Sequence, residues 1–183
     1  MMSKQLILFV MLWFISSCNV EVNPIPNIYT GIATALKNGE EWNSVTYFDE
    51  IESEPSLFIL RADVYNNTGF WRETFDIRRI QGNMDIQEIT TPNNQNELYL
   101  LSSNYGTLID DGDVVGDIYS LDTTATNNFI QITNYNSFKA EIEGIFNVSF
   151  ILTKDDKQGP VPPQTLVFTN GKFTAKVKRN WFE

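Results

Sequence analysis

Histidine is absent from this 183-residue chain, cysteine occurs once, and basic side chains are few: 13 Lys and Arg against 23 Asp and Glu, a net charge of −10. Without histidine there is no Ser-His-Asp or Cys-His catalysis, and one thiol cannot build a Cys/His zinc site. A lone cysteine also leaves no intrachain disulfide to brace an exported fold. The negative balance opposes nucleic-acid binding, which needs a positive footprint for the phosphates. Glycine and proline, at 10 and 7, are too few for collagen-like or low-complexity classes, and a hydrophobic fraction of 42% argues against disorder. The long apolar run, Leu6–Ile15, holds ten residues. As a helix it would measure about 15 Å, half of a roughly 30 Å hydrocarbon core, so it is no membrane span.

That run instead has the form of a secretory signal, with Lys4 before it and Ser16 and Ser17 after it. The single cysteine follows at once. Ile15-Ser16-Ser17-Cys18 resembles a bacterial lipobox, which implies cleavage after residue 17 and acylation of Cys18. Each buried acyl CH₂ contributes about 0.8 kcal/mol, so a multiply acylated cysteine is a stable anchor. Asn19, rather than aspartate, follows it, and by the same resemblance the default address is the outer membrane, facing either side. The expected organisation is therefore a signal peptide over 1–17, a lipidated tether over 18–28 with prolines 24 and 26, and one domain over 29–183. A domain of that size buries around 70% of its unfolded surface.

Strand signals fill the domain. Ile32–Leu36, then Lys37-Asn38-Gly39-Glu40, then Glu41–Phe48 predicts a two-residue type I′ hairpin with Ala35 opposite Trp42 and Ile32 opposite Val45. Asn170-Gly171 predicts a second hairpin within Thr165–Lys178, setting Phe168 against Phe173 and Leu166 against Ala175. Between Phe138 and Leu152 the apolar residues share one parity, with Gly144 expected to mark a bulge or corner. Further strands are predicted over 56–64, 72–80, 97–103, 105–109, 114–121 and 128–133. The pattern predicts an all-β fold, an antiparallel sandwich or barrel of about eight to ten strands.

The two ends of this domain also resemble a family. Ala35-Leu36-Lys37-Asn38-Gly39-Glu40-Glu41-Trp42, Glu143-Gly144-Ile145-Phe146 and Thr169-Asn170-Gly171-Lys172-Phe173, behind a lipobox, are similar to stretches of small Bacteroidota lipoproteins of unknown function. The resemblance implies an all-β exported domain on a lipid anchor. It brings no activity, no cofactor and no catalytic residue.

Several side chains stand out as candidate sites. Asp110, Asp111, Asp113 and Asp117 fall within eight residues around glycines, an oxygen-rich loop of the kind calcium uses, or a solvated turn. Trp42, Trp71 and Trp181 could stack on sugar faces or touch a partner, with Trp71 after Thr68-Gly69 the best placed; Trp42 reads first as core, and Trp181 as a staple for the end of the chain. Arg72, Arg78 and Arg79 form the dense basic group, suited to surface ion pairs, with the last two on opposite strand faces. Asp122-Thr123-Thr124 resembles a Bacteroidota O-glycosylation acceptor, with Thr123 modified. No Gly-x-Ser-x-Gly elbow or phosphate loop occurs, and no enzyme is expected; a carboxylate pair for glycoside hydrolysis would leave no sequence mark. The sequence thus points to a non-catalytic envelope lipoprotein that binds an outer-membrane protein or a glycan. A lipocalin-like carrier of a small apolar ligand is the alternative.

Overall fold

The computed structural model describes residues 24–54, 56–90, 101–136, 138–157 and 160–178. Among them are ten strands and no helix, as the alternation predicts. They are β1 (Gly31–Lys37), β2 (Glu40–Glu50), β3 (Leu57–Tyr65), β4 (Trp71–Gln81), β5 (Gln87–Glu88), β6 (Ser102–Ile109), β7 (Val114–Leu121), β8 (Phe129–Asn136), β9 (Glu141–Lys154) and β10 (Thr165–Lys178). Of the two predicted architectures the barrel is the one formed. The ring β1-β2-β3-β4-β6-β7-β9-β10 closes through antiparallel neighbours back to β1.

The first hairpin has the predicted register, Ala35↔Trp42 and Ile32↔Val45, and Asn38 and Gly39 carry φ of 52° and 88°. Both central residues lie in the left-handed region that a type I′ turn requires. The second predicted hairpin does not form. Residues 165–178 are one strand, paired with β9 on one edge and β1 on the other. Asn170, at φ 55°, sits in a bulge where the β9 register shifts between Phe168 and Gly171. A left-handed Asn supplies an extra residue here rather than a reversal, because both flanks already have partners. Gly171 itself has no Cβ because one would lie 2.5 Å from the Phe146 carbonyl oxygen.

The long alternating strand is β9, with Ile142, Phe146, Val148 and Phe150 buried on the predicted parity. Its start is later than predicted: Phe138 is fully exposed in the preceding turn, where Ala140 has φ 53°. Gly144 does not break β9. A Cβ there would meet the Phe173 ring at 2.3 Å, and the register shift opposite it belongs to β8, between Ile132 and Asn134. Predicted strands 97–103 and 105–109 are one element where described, β6 from Ser102; residues 97–100 lie outside the described set.

Eight strands enclose just enough room for side chains to fill. Here the fill is aromatic: Phe168 packs against Trp42, Phe75, Tyr105 and Phe150, with ring centroids 5.1 to 5.9 Å apart. Leu60, Ile77, Ile80, Ile130 and Val148 belong to the same core. A bulge in β4 at Arg79, φ 65°, turns both Ile77 and Ile80 inward and leaves neither Arg78 nor Arg79 facing the core. Outside the wall, Tyr29 lies over β2 and β3. Its hydroxyl donates to the buried Asp63 carboxylate, which also holds Arg61 at 3.0 Å. A carboxylate with no exposure is tolerable only when paired in this way. This contact fixes the point at which the chain joins the barrel. Every described strand and core residue lies downstream of it.

Candidate functional site

The two ends of the barrel differ in how the wall finishes. At one end β4 pairs with β6 only as far as Arg78↔Ser102. On the other side β8 pairs with β5 only at Gln87↔Ile130 and Glu88↔Phe129. β7 and β8 share one edge of β9, β7 meeting Phe150–Lys154 and β8 meeting Glu141–Asn147. β8, which is outside the eight-strand ring, therefore takes over this edge of β9 where β7 stops. A gap opens between the ends of β4 and β8, crossed by the segment 82–86. That crossing is held by amides: Gln87 bonds the backbone N–H and carbonyl of Gln81, and Gln131 Nε2 donates to the Met84 carbonyl at 3.0 Å.

Behind this segment lies a cleft of about 770 Å³. Its floor is the end of the core, Phe48, Ile142 and Val177, and its sides are Leu57, Phe58, Met84, Ile132 and Tyr135. Phe48 and Phe58 are stacked at 5.1 Å. The polar groups are at the rim: Glu50, Ser56, Gln81 and Asn83. Glu50 is on the inward parity of β2, the row that carries Trp42, Phe48 and the buried Thr46. Its Oε1 accepts the Ser56 N–H at 2.6 Å. A pocket of a few hundred Å³, mostly apolar with a few placed polar atoms, is the usual form of a small-molecule site.

The opposite end is closed by charge. Lys37 Nζ lies 2.5 Å from Glu73, and Trp42 Nε1 donates to the other oxygen of the same carboxylate at 2.8 Å. Lys37 also donates to the Tyr105 hydroxyl at 3.2 Å. Burial, with the Glu73 charge beside it, holds the Tyr105 phenol well above its ordinary range. Tyr119, pushed up to about 12 by burial and by Asp117, donates to the Pro163 carbonyl.

The sequence-derived candidates fall elsewhere. Trp42 is 4% exposed and is core; as a contact for a glycan or partner it is withdrawn. Trp71 is half-buried, its indole N–H bonded to the Glu73 carbonyl and one face covered by the Arg61 guanidinium at 4.8 Å. Trp181 and Cys18 lie outside the described residues. The four aspartates do not assemble as one loop site. Asp110, Asp111 and Asp113 form the β6–β7 turn, where a hydrogen bond to Asp111 raises the Asp113 pKa. Asp117 is instead grouped with Asp155 and Asp156, their oxygens within 4.8 Å of one another, and already accepts the Asp156 N–H. Arg78 pairs with Asp76 and Arg79 with Glu54, while Arg72 bonds the carbonyls of Trp71 and Asp110. Thr123 is exposed in a turn held by the Asp122 side chain, which bonds both the backbone and hydroxyl of Thr124.

The cleft residues were not among the sequence candidates. The signal available was parity: Glu50 continues an inward row of β2, and Ile130 and Ile132 lie on the inward side of β8. Nothing local shows that the wall stops there. Compared with family models, with curated proteins and with solved structures, the chain matches none.

Proposed function

We propose that this protein is a non-catalytic binding module, held at the cell envelope through Cys18, whose barrel mouth takes up a small apolar ligand. Of the two readings that the sequence leaves open, the cleft supports the carrier. The observation that carries it is the contrast within one barrel: a close-packed aromatic interior that ends, on one side, in an apolar hollow of about 770 Å³. Ligand in this reading sits at the mouth, against Phe48, Phe58 and Ile132, and does not enter the packed centre.

The test uses the chain from Asn19 onward, which contains every described strand and core residue. Titration with the neutral fluorophore N-phenyl-1-naphthylamine is expected to show saturable enhancement, lost in Ile132→Trp, which fills the cleft. No saturable binding, or binding unaltered by that substitution, contradicts the proposal. The anchor is tested separately: Cys18→Ala is expected to release the protein from membranes, and retention in the detergent-dependent fraction contradicts lipidation.

A further inference from the structure

Among the described residues the cleft is lined by one carboxylate, and none of the described cations pairs with it. Among the described lining residues, Glu50 is the single ionisable acid, and no Lys or Arg lines the cleft with it. Other acids near this end have partners: Glu54 is held by Arg79 with two bonds of 2.9 Å, and Asp76 by Arg78. Glu50 has only the backbone N–H of Ser56 on one oxygen, and no cation within ion-pair distance among the described residues. Opposite it in the β2–β3 register is Phe58, partly exposed and stacked on the buried Phe48, and Tyr135 also lines the cleft. A carboxylate beside aromatic rings at the rim of an apolar hollow is complementary to an ammonium. The carboxylate supplies the opposite charge, the partly exposed Phe58 ring attracts the cation, and the hollow accepts the hydrocarbon.

We infer that the ligand is a single-chain organic amine: an apolar body in the cleft, with its ammonium at the rim against Glu50. The inference rests on the cleft reading above and adds the chemistry of the head group. A fatty acid is disfavoured by the same carboxylate, since two like charges at the rim repel.

Calorimetric titration of the chain from Asn19 onward with decylammonium, decanol and decanoate, at one pH and below micelle formation, separates the two claims. The expected order is decylammonium tightest, by about tenfold over decanol, which is about 1.4 kcal/mol, with decanoate weakest. Glu50→Gln keeps the side-chain size and the Ser56 acceptor and is expected to abolish the order while decanol still binds. Raising salt is expected to weaken decylammonium and leave decanol unchanged. Equal binding of all three to the wild type overturns the amine inference and leaves the cleft reading standing. Binding of none overturns both. A preference for decylammonium that survives Glu50→Gln places the cation elsewhere and overturns the assignment to Glu50. Should Glu50→Gln fail to fold, Glu50→Ala serves as the second variant: decylammonium is expected to lose its preference while decanol still binds, and a preference that survives overturns the assignment to Glu50.

Discussion

The two mouths of this barrel meet the same problem and resolve it oppositely. At the Lys37 end the polar groups point at one another: ammonium, carboxylate, indole N–H and phenol form a closed set over the aromatic core. At the Glu50 end the polar groups stand at the rim, and apolar side chains line a hollow. The difference follows from strand pairing. Tight connections join the strands at the closed end, the two-residue Asn38-Gly39 turn and the short turn through Asp110–Asp113 among them. At the open end β8 replaces β7 along β9, and the segment 82–86 crosses the gap through side-chain amides. On the proposed reading, the end walled by backbone ladders serves stability and the end walled by a crossing segment serves binding.

Substitutions can break this division, and the largest effect belongs to the shared core. Phe168→Ala removes a fully buried ring that touches Trp42, Phe75, Tyr105 and Phe150. It is expected to cost about 3–5 kcal/mol in urea unfolding. A loss under 1 kcal/mol would mean that the interior is not packed as described. Next comes the closed end. Glu73→Ala leaves the Trp42 indole N–H and the Lys37 ammonium without their acceptor, an expected cost of about 1–3 kcal/mol. Ligand binding at the other end is expected to be unchanged.

The alkaline limb sharpens the same contrast. Tyr105 and Tyr119, both held above the ordinary tyrosine value of 10.0, belong to the closed half. Above about pH 10 an unfolded chain ionises these phenols while the folded one keeps them protonated. The unfolded state then binds fewer protons, the slope of stability against pH is negative, and stability falls as pH rises from 10 toward 12 and beyond. Tyr105→Phe is expected to flatten that fall, read as thermal midpoint against pH; an unchanged slope would contradict the buried position. The smallest effect on stability is expected from Glu50→Gln, within about 0.5 kcal/mol. A large loss there would assign Glu50 a structural role and weaken the division of labour.

The parts that the sequence made legible are those governed by local rules. Asn38-Gly39 specified a turn and, through it, a register of seven paired positions. Parity placed the core side of β9 correctly from Ile142 onward. Asn170-Gly171 shows the limit of such a rule. The dipeptide reports a left-handed backbone, and a left-handed residue serves a bulge as well as a reversal. Which one forms depends on whether β9 and β1 are both at hand, and the pairing with β1 reaches to the opposite end of the domain, outside any local window. Arg79 is a second case, since its bulge turns Ile77 and Ile80 inward together against strict alternation. The cleft was the least legible feature. It gathers Phe48, Phe58, Met84, Ile132, Ile142 and Val177 from distant elements. It lies where β8 takes over from β7 along β9, a fact of global closure that no window of sequence contains.

The claim that one mouth binds and the other does not is tested most directly by amide NMR of the chain from Asn19 onward, titrated with decylammonium. The account predicts shifts confined to Phe48–Glu50, Leu57–Phe58, Gln81–Met84 and Ile132–Tyr135, with the amides of Lys37, Glu73 and Tyr105 unmoved. Shifts centred on Lys37, Glu73 and Tyr105, or no saturable shifts at all, would contradict it.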